Sequence, residues 1–354
     1  MRLLITGGAG FIGSNFIHYI LKKYPDYEVV NLDALTYAGN LENLKDNEGN
    51  PNYKFVKGDI CNKDLVNDLV KDADLIVHFA AESHVDRSIL DAENFVRTNV
   101  LGTYNLLEAA KSAGWRNGNK RFHHISTDEV FGHLEPTDLP FNENTPYAPR
   151  SPYSASKAAS DHLVRAYFTT YGLPISISNC SNNYGPYQFL EKLIPLSITN
   201  LIENEKVPLY GDGQQIRDWL YVEDHCEAID LIIQKGKLGE TYCVGGDSEK
   251  TNNQVALRII ELIKSSKLSS SATSEEKRNF YSSWIKFVND RPGHDKRYAI
   301  DFSKIKNELG WKPKVSFEEG LKKTIEWYKN NESWWKNIKS GDYQKYYQQN
   351  YSNR

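Results

Sequence analysis

The segment Gly7-Gly8-Ala9-Gly10-Phe11-Ile12-Gly13 constrains this chain more than any other. It follows directly on Arg2-Leu3-Leu4-Ile5-Thr6, a short apolar run that reads as a buried strand. A helical pattern comes next: Ile12, Phe16, Ile17, Ile20 and Leu21 recur at helical spacing until Tyr24-Pro25-Asp26 ends it. Gly8, Gly10 and Gly13 satisfy G-x-G-x-x-G, and Gly7, Gly10 and Gly13 satisfy G-x-x-G-x-x-G. Either pattern alone is weak. Between a strand and a helix it gains force, because there the backbone must turn tightly and let a pyrophosphate reach the helix N-terminus. Gly7, Gly10, Phe11, Ile12 and Gly13 are therefore candidate cofactor contacts.

The next strand, Glu28-Val29-Val30-Asn31-Leu32, ends in Asp33, at the expected distance of about 20 residues beyond the glycines. A carboxylate there accepts hydrogen bonds from the adenosine ribose and repels a 2′-phosphate. Ala34-Leu35-Thr36 holds no Arg, so NAD is expected over NADP. The competing reading is a plain βαβ turn with an exposed Asp.

Tyr53 to Lys57 and Leu75 to Phe79 read as two further strands whose C-terminal ends open into loops. Asp59 and Ile60 are expected to flank adenine, and Phe79, Ala80, Ala81 and Ser83 to line the rest of the cofactor. Asp59 could equally cap a helix from Lys63 onward. The residues from Ala92 to Ala113 form a long amphipathic helical pattern, with Thr98 and Asn99 placed to reach back to the cofactor. Arg121 to Ser126 is the next strand. Strands and helices thus alternate from the start, which predicts an α/β fold with a Rossmann-like, doubly wound parallel sheet. At 354 residues the chain also has room for a smaller C-terminal α/β lobe. The expected division is 1–180 for the NAD-binding part and 181–354 for the lobe, some of whose segments return to the first part.

Charge narrows the function classes. With 43 basic and 46 acidic residues the net charge is −3, which lacks the excess expected of a nucleic-acid binder. Cys61, Cys180, Cys226 and Cys243 are far apart and form no C-x-x-C pair, so neither a zinc site nor a disulfide framework is signalled, and no metal is expected. No signal-peptide pattern and no apolar run of about 20 residues is seen, so the expected setting is the cytoplasm.

The chemistry is concentrated in two motifs. Ile125-Ser126-Thr127-Asp128-Glu129-Val130-Phe131-Gly132 ends a strand in a hydroxyl followed by two carboxylates, and Tyr153-Ser154-Ala155-Ser156-Lys157 puts a Tyr and a Lys on one helix face. An isolated Asp-Glu pair is most often a solvated turn or a cap, and Tyr-x-x-x-Lys alone is common. Taken with the glycine pattern and Asp33, they resemble the extended short-chain dehydrogenases/reductases. Within these, Ala81 to Ser88, Thr127-Asp128-Glu129 and Ser181-Asn182-Asn183-Tyr184-Gly185-Pro186 resemble the nucleotide-sugar 4,6-dehydratases, over nearly the whole chain.

That resemblance implies tightly bound NAD, dTDP-glucose as substrate and a homodimer built on the segments from Ala92 to Ala113 and from Tyr153 to Tyr171. It assigns catalysis to Thr127, Asp128, Glu129, Tyr153 and Lys157. Tyr153 would take the C4 hydroxyl proton, its phenolate favoured by Lys157 and the cofactor ring; Thr127 would orient that oxygen, and Lys157 would hold the nicotinamide ribose. C4 oxidation acidifies the C5 proton, which sets up loss of the C6 hydroxyl. Only the resemblance makes Glu129 the base and Asp128 the acid. It also places Asn183, Tyr153 and Lys157 on the cofactor. On the substrate it places Ser83, Thr127, Asn182, Lys192, Leu193, Pro208, Tyr210, Arg217, Asn252, Arg291 and His294. Forked Arg donors suit a diphosphate, although either Arg taken singly reads as a surface ion pair.

Two alternatives stand beside this one. A UDP-glucose 4-epimerase would share Thr127, Tyr153 and Lys157 but moves only the C4 hydride and needs no acid/base pair for C5 and C6. A non-catalytic NAD-binding scaffold would have no use for the triad. The polar run from Lys264 to Lys277 is expected to be a surface loop. The Trp- and Tyr-rich end, with Trp334, Trp335, Tyr343, Tyr346 and Tyr347, is expected to form helices packed on the lobe.

Overall fold

The computed structural model describes residues 1–116, 120–269 and 271–340. Tyr343, Tyr346 and Tyr347 lie outside the described residues. The central sheet is parallel and seven-stranded, built from β1 (Arg2–Thr6), β2 (Glu28–Asp33), β3 (Tyr53–Lys57), β4 (Leu75–His78), β5 (Arg121–Thr127), β6 (Ile175–Cys180) and, later in the chain, β10 (Thr241–Val244). Its order is β10-β6-β5-β4-β1-β2-β3. The order reverses between β1 and β4, so a crevice opens at the C-terminal ends of these two strands. Gly7 and Phe79, the first residues past β1 and β4, therefore face each other across the place where a ligand binds in such sheets.

The inner strands are buried on both faces, which suits the apolar runs of β1 and β4. Their few polar residues are paired. His78 lies 2.7 Å from Thr6 Oγ1 and 2.9 Å from Thr103 Oγ1, and His123 lies 2.9 Å from Ser176 Oγ. The helices Phe11–Lys23 and Val222–Lys235 cover one face through Phe16, Ile17, Val222, Cys226 and Ile229.

The helix Pro152–Tyr171 starts and stops where its sequence dictates. Ser151 caps it in a reciprocal box with Ser154, Pro152 takes the first turn, and Gly172 ends it in a left-handed conformation. The stretch expected as one helix from Ala92 to Ala113 is wound more widely over Val96–Gly102, as a π-helix, before Thr103–Ser112 resumes α geometry. Such widening re-aims side chains, and here it brings Asn99 onto the loop after β4. Asn99 Oδ1 accepts from Glu82 N at 2.9 Å, while its Nδ2 donates to Glu82 O at 3.0 Å and to Ser156 Oγ at 2.8 Å.

The second lobe has β7 (Asn182–Tyr184), β9 (Ile216–Tyr221) and β11 (Glu249–Thr251) in one small sheet and β8 (Val207–Tyr210) with β12 (Ile285–Val288) in another. The helices Leu193–Ile202, Asn252–Lys264 and Phe317–Asn330 complete its core around Tyr184, Trp219 and Tyr328. The helix Glu332–Lys339 closes it: Trp335 is fully buried and donates to Tyr328 O, while Trp334 donates to Asn43 Oδ1 on the nucleotide side. The polar run from Lys264 is not all loop. A helix, Ser274–Ser282, begins inside it, because Thr273 and Glu276 form a capping box. Among the described residues, no helix is long and apolar enough to cross a membrane, and no cluster of three or more His, Cys, Asp or Glu is arranged to hold a metal.

Candidate active site

A cavity of about 360 Å³ runs along the crevice at the switch point. The expected cofactor residues line it, from Gly7, Gly10, Phe11, Ile12 and Gly13 through Asp33, Asp59, Ile60, Phe79, Ala80, Ala81, Ser83 and Thr98 to Asn183, and so do Thr127, Asp128, Glu129, Tyr153 and Lys157; Asn99 does not, being buried behind the wall against Glu82 and Ser156.

The glycine turn fits a pyrophosphate for steric reasons. Gly7 has φ of +73°, and a Cβ on it would stand 2.6 Å from Ala80 N. A Cβ on Gly13 would stand 2.3 Å from Gly7 O and 2.8 Å from Gly8 Cα, both backbone atoms that cannot swing aside. The helix Phe11–Lys23 starts at Gly10 with no side-chain cap, so its first N–H groups face the cavity unclaimed. Asp33 is fixed by Ala9 N at 2.9 Å and Leu35 N at 2.8 Å. Burial raises its pKa and these two bonds restrain the rise. The residues present therefore fit a dinucleotide whose adenosine ribose meets a carboxylate. Asp59 does not cap the next helix; Asn62 does, and Asp59 instead accepts from Cys61 N and from Arg97 at 2.7 Å at the cavity wall. Substituting Gly13 by Ala should destabilise the fold by about 1–3 kcal/mol through overpacking and empty the purified protein of nucleotide. Thermal melting and the absorbance of the released cofactor check both outcomes.

The catalytic end is organised by the turn after β5. Thr127 closes the strand, and its Oγ1 accepts from Glu129 N at 3.3 Å and donates to Asp128 Oδ1 at 3.2 Å. Asp128 is almost wholly buried, and its Oδ2 has no hydrogen-bond partner among the described residues. Burial, then the charge of Glu129, pushes its pKa well above the usual carboxylate range. Glu129 is also raised by burial, but the charges of Arg291, Lys192 and Arg217 oppose this. Two adjacent carboxyls thus sit in unequal surroundings, with more cations acting on Glu129 than on Asp128, an arrangement suited to one acid and one base.

Tyr153 packs edge-on against Phe95 with ring centres 6.2 Å apart. Burial and the charge of Glu129 raise its phenol well above 10, while a hydrogen bond with Thr127 works the other way. Lys157 donates to Ile125 O at 2.7 Å, and burial brings its pKa down to about 8. Tyr153 and Lys157 sit one turn apart on the helix Pro152–Tyr171, as the spacing predicts.

The expected substrate residues divide. Ser83, Thr127, Asn182 and Lys192 line the cavity, with Lys192 Nζ donating to Ser83 O at 3.3 Å. Leu193, Pro208, Tyr210, Arg217, Asn252, Arg291 and His294 lie outside its lining. Asp86 draws two of them together, accepting from Tyr210 OH at 2.7 Å and Arg291 at 3.4 Å. His294 meets the Tyr210 ring edge-on and lies 2.6 Å from Asp290. Arg217 is buried, stacks on Tyr298 at 4.3 Å and donates to Asp295 O. Asn252 opens a helix and reaches Gln215 Oε1 at 3.4 Å, Pro208 sits inside β8 opposite Lys286, and Leu193 starts its own helix. What connects Arg217 and Arg291 to the cavity is charge, since both act on Glu129.

Sequence reasoning missed one group altogether. Tyr37 and Glu191 line the cavity, Arg87 lies 3.8 Å over the Tyr37 ring, and Arg87 Nε donates to Glu191 at 3.0 Å. These residues come from three separate loops and helices, and no spacing announces them.

The fold and the site define a dinucleotide-dependent enzyme of the short-chain dehydrogenase/reductase type. The family described as GDP-mannose 4,6 dehydratase matches residues 4–324. The dTDP-glucose 4,6-dehydratase of Salmonella typhimurium is 52% identical, over 100% of both chains. The structure of dTDP-glucose 4,6-dehydratase from Streptomyces venezuelae, with NAD bound, superposes with a TM-score of 0.87 at 46% identity, covering 96% of this chain and 100% of that one. A UDP-glucose 4-epimerase from Thermotoga maritima superposes at 0.81 with 28% identity, covering 93% of this chain and 99% of that one. The chain belongs to the nucleotide-sugar 4,6-dehydratases.

Proposed function

We propose that this chain is a dTDP-glucose 4,6-dehydratase, an NAD-dependent hydro-lyase that converts dTDP-glucose to dTDP-4-keto-6-deoxyglucose and water in deoxysugar synthesis of the dTDP-rhamnose type. The observation that carries the reading is the unequal pair, Asp128 sealed from solvent with an unpartnered Oδ2 beside Glu129 in a field of three cations. A 4-epimerase shares the fold but has no step at C5 or C6 for such a pair to serve.

Bound NAD supplies the hydride acceptor for C4 and later the hydride donor for C6. Tyr153 takes the C4 hydroxyl proton while Thr127 holds that oxygen. Glu129 removes the C5 proton, now acidic beside the ketone. Asp128, whose Oδ2 has no hydrogen-bond partner among the described residues, gives its proton to the departing C6 hydroxyl, which leaves as water. Glu129 then returns its proton to C5, and the proton taken by Tyr153 restores Asp128, so the protons balance over one turnover. Arg217 and Arg291 pair with the diphosphate, and Lys192 extends that cationic field toward Glu129.

Purified protein incubated with dTDP-glucose and other NDP-glucoses, without added NAD, is expected to give a product lighter by one water with the thymidine substrate. A product of unchanged mass containing galactose would favour the epimerase. A homodimer in the cytoplasm completes the proposal. It is supported by exposed apolar residues on the segments named above, Val96 and Leu101 on one and Phe168 and Tyr171 on the other, with Ile89 and Leu90 beside them. A monomeric mass in solution would rule out the dimer.

A further inference from the structure

Asp161 is the most deeply buried charged group that this chemistry leaves unused. It sits on the helix Pro152–Tyr171 one turn beyond Lys157, on the same face, and has no exposed surface. Its Oδ2 accepts from Ser126 Oγ at 2.8 Å, Tyr147 OH at 2.7 Å and Asn179 Nδ2 at 3.3 Å. Its Oδ1 stands 3.2 Å from His124 Nε2, and the same ring nitrogen is 3.4 Å from Lys157 Nζ. Asn179 also donates to Thr127 O at 3.1 Å. One carboxylate therefore joins the strand that ends in Thr127, the helix that carries Tyr153 and Lys157, the neighbouring strand β6 and the loop before the helix.

The groups facing Lys157 come from every element packed on it. They are Tyr153 and Asp161 on its own helix, His78 on β4, His124 on β5 and Cys180 on β6. Burial holds both histidines neutral and pushes the Cys180 thiol up to about 12. Asp161 differs: burial pushes it up, but the close approach of His124, the charge of the Lys157 ammonium and the hydrogen bond from Tyr147 outweigh this and hold its pKa below the usual carboxylate range. It is the ionised counterpart of Lys157.

We propose that Asp161 is a positioning residue for this reaction, a buried carboxylate that balances the Lys157 ammonium across the His124 ring and clamps the end of β5 to the catalytic helix. The assignment rests on the dehydratase reading. Asp161→Asn keeps the shape and removes the charge. The alkaline limb of kcat/KM for dTDP-glucose should then move down by about one pH unit, the usual effect of losing a nearby opposite charge. Activity near pH 8 should fall about 5-fold, while the loss near pH 6.5 stays within about 3-fold. Tyr147→Phe removes one donor from the carboxylate and leaves its charge less compensated, so the limb should move up. A limb unmoved in Asp161→Asn, with kcat lowered evenly at all pH values, shows a merely structural role and overturns the proposal. If that variant does not fold, Tyr147→Phe decides: an upward shift supports the proposal, and an unmoved or falling limb overturns it. Wild-type protein that removes no water from dTDP-glucose sinks the dehydratase reading and this assignment with it, whereas active wild-type protein with an unmoved limb sinks this assignment alone.

Discussion

Tyr153→Phe should lower kcat/KM for dTDP-glucose by about 10³-fold while the protein keeps its fold and its NAD, because a positioned general base contributes about 10²–10⁴-fold. The change removes one oxygen. The ring stays in its contact with Phe95 and Val85, so packing is preserved. Lys157 is committed to Ile125 O, and the Thr127 hydroxyl can orient an oxygen but is far too weak a base. Steady-state kinetics beside a cofactor count per protein would check this. A loss smaller than about 10-fold would mean that the C4 proton leaves by another route.

Glu129→Gln should have an effect of similar size but of a different kind. The amide has the size of the carboxylate but cannot take a proton, so exchange of the C5 hydrogen with solvent should stop. C4 oxidation precedes that step, so reduced cofactor should accumulate and be visible by absorbance. Turnover should fall by about 10³-fold. Asp128→Asn should separate the two acids, leaving C5 exchange in place while elimination slows. The basis is local: Asp128 is sealed from solvent with an unpartnered Oδ2, whereas Glu129 feels Arg291, Lys192 and Arg217. If C5 exchange persists in Glu129→Gln, the base has been misassigned.

Much of this was legible in the sequence where the physics is local. The glycine turn, Asp33 and the start and stop of the helix Pro152–Tyr171 depend on residues a few positions apart, and spacing records such dependence. The capping box at Thr273 and Glu276 was equally local but lay hidden in a serine-rich run. Roles set by tertiary contacts were not legible. Asp128 and Glu129 are neighbours with the same functional group, and they are told apart by cations placed 60 to 160 positions further along the chain. The same holds for Asp161. Its distance from Lys157 along the helix could be read from spacing, but its partners Tyr147, Ser126 and Asn179 meet it only through the fold. The widened turn over Val96–Gly102 has a sequence pattern compatible with an ordinary helix, and the seating of Asn99 against Glu82 shows what the widening achieves.

The most direct test of the account follows one hydrogen. dTDP-glucose carrying deuterium at C4, turned over by the purified protein without added NAD, should yield a keto product lighter by one water with the deuterium at C6, because the hydride removed in the first step is the one returned in the last. Deuterium that stays at C4, or that is lost to solvent, would contradict the account.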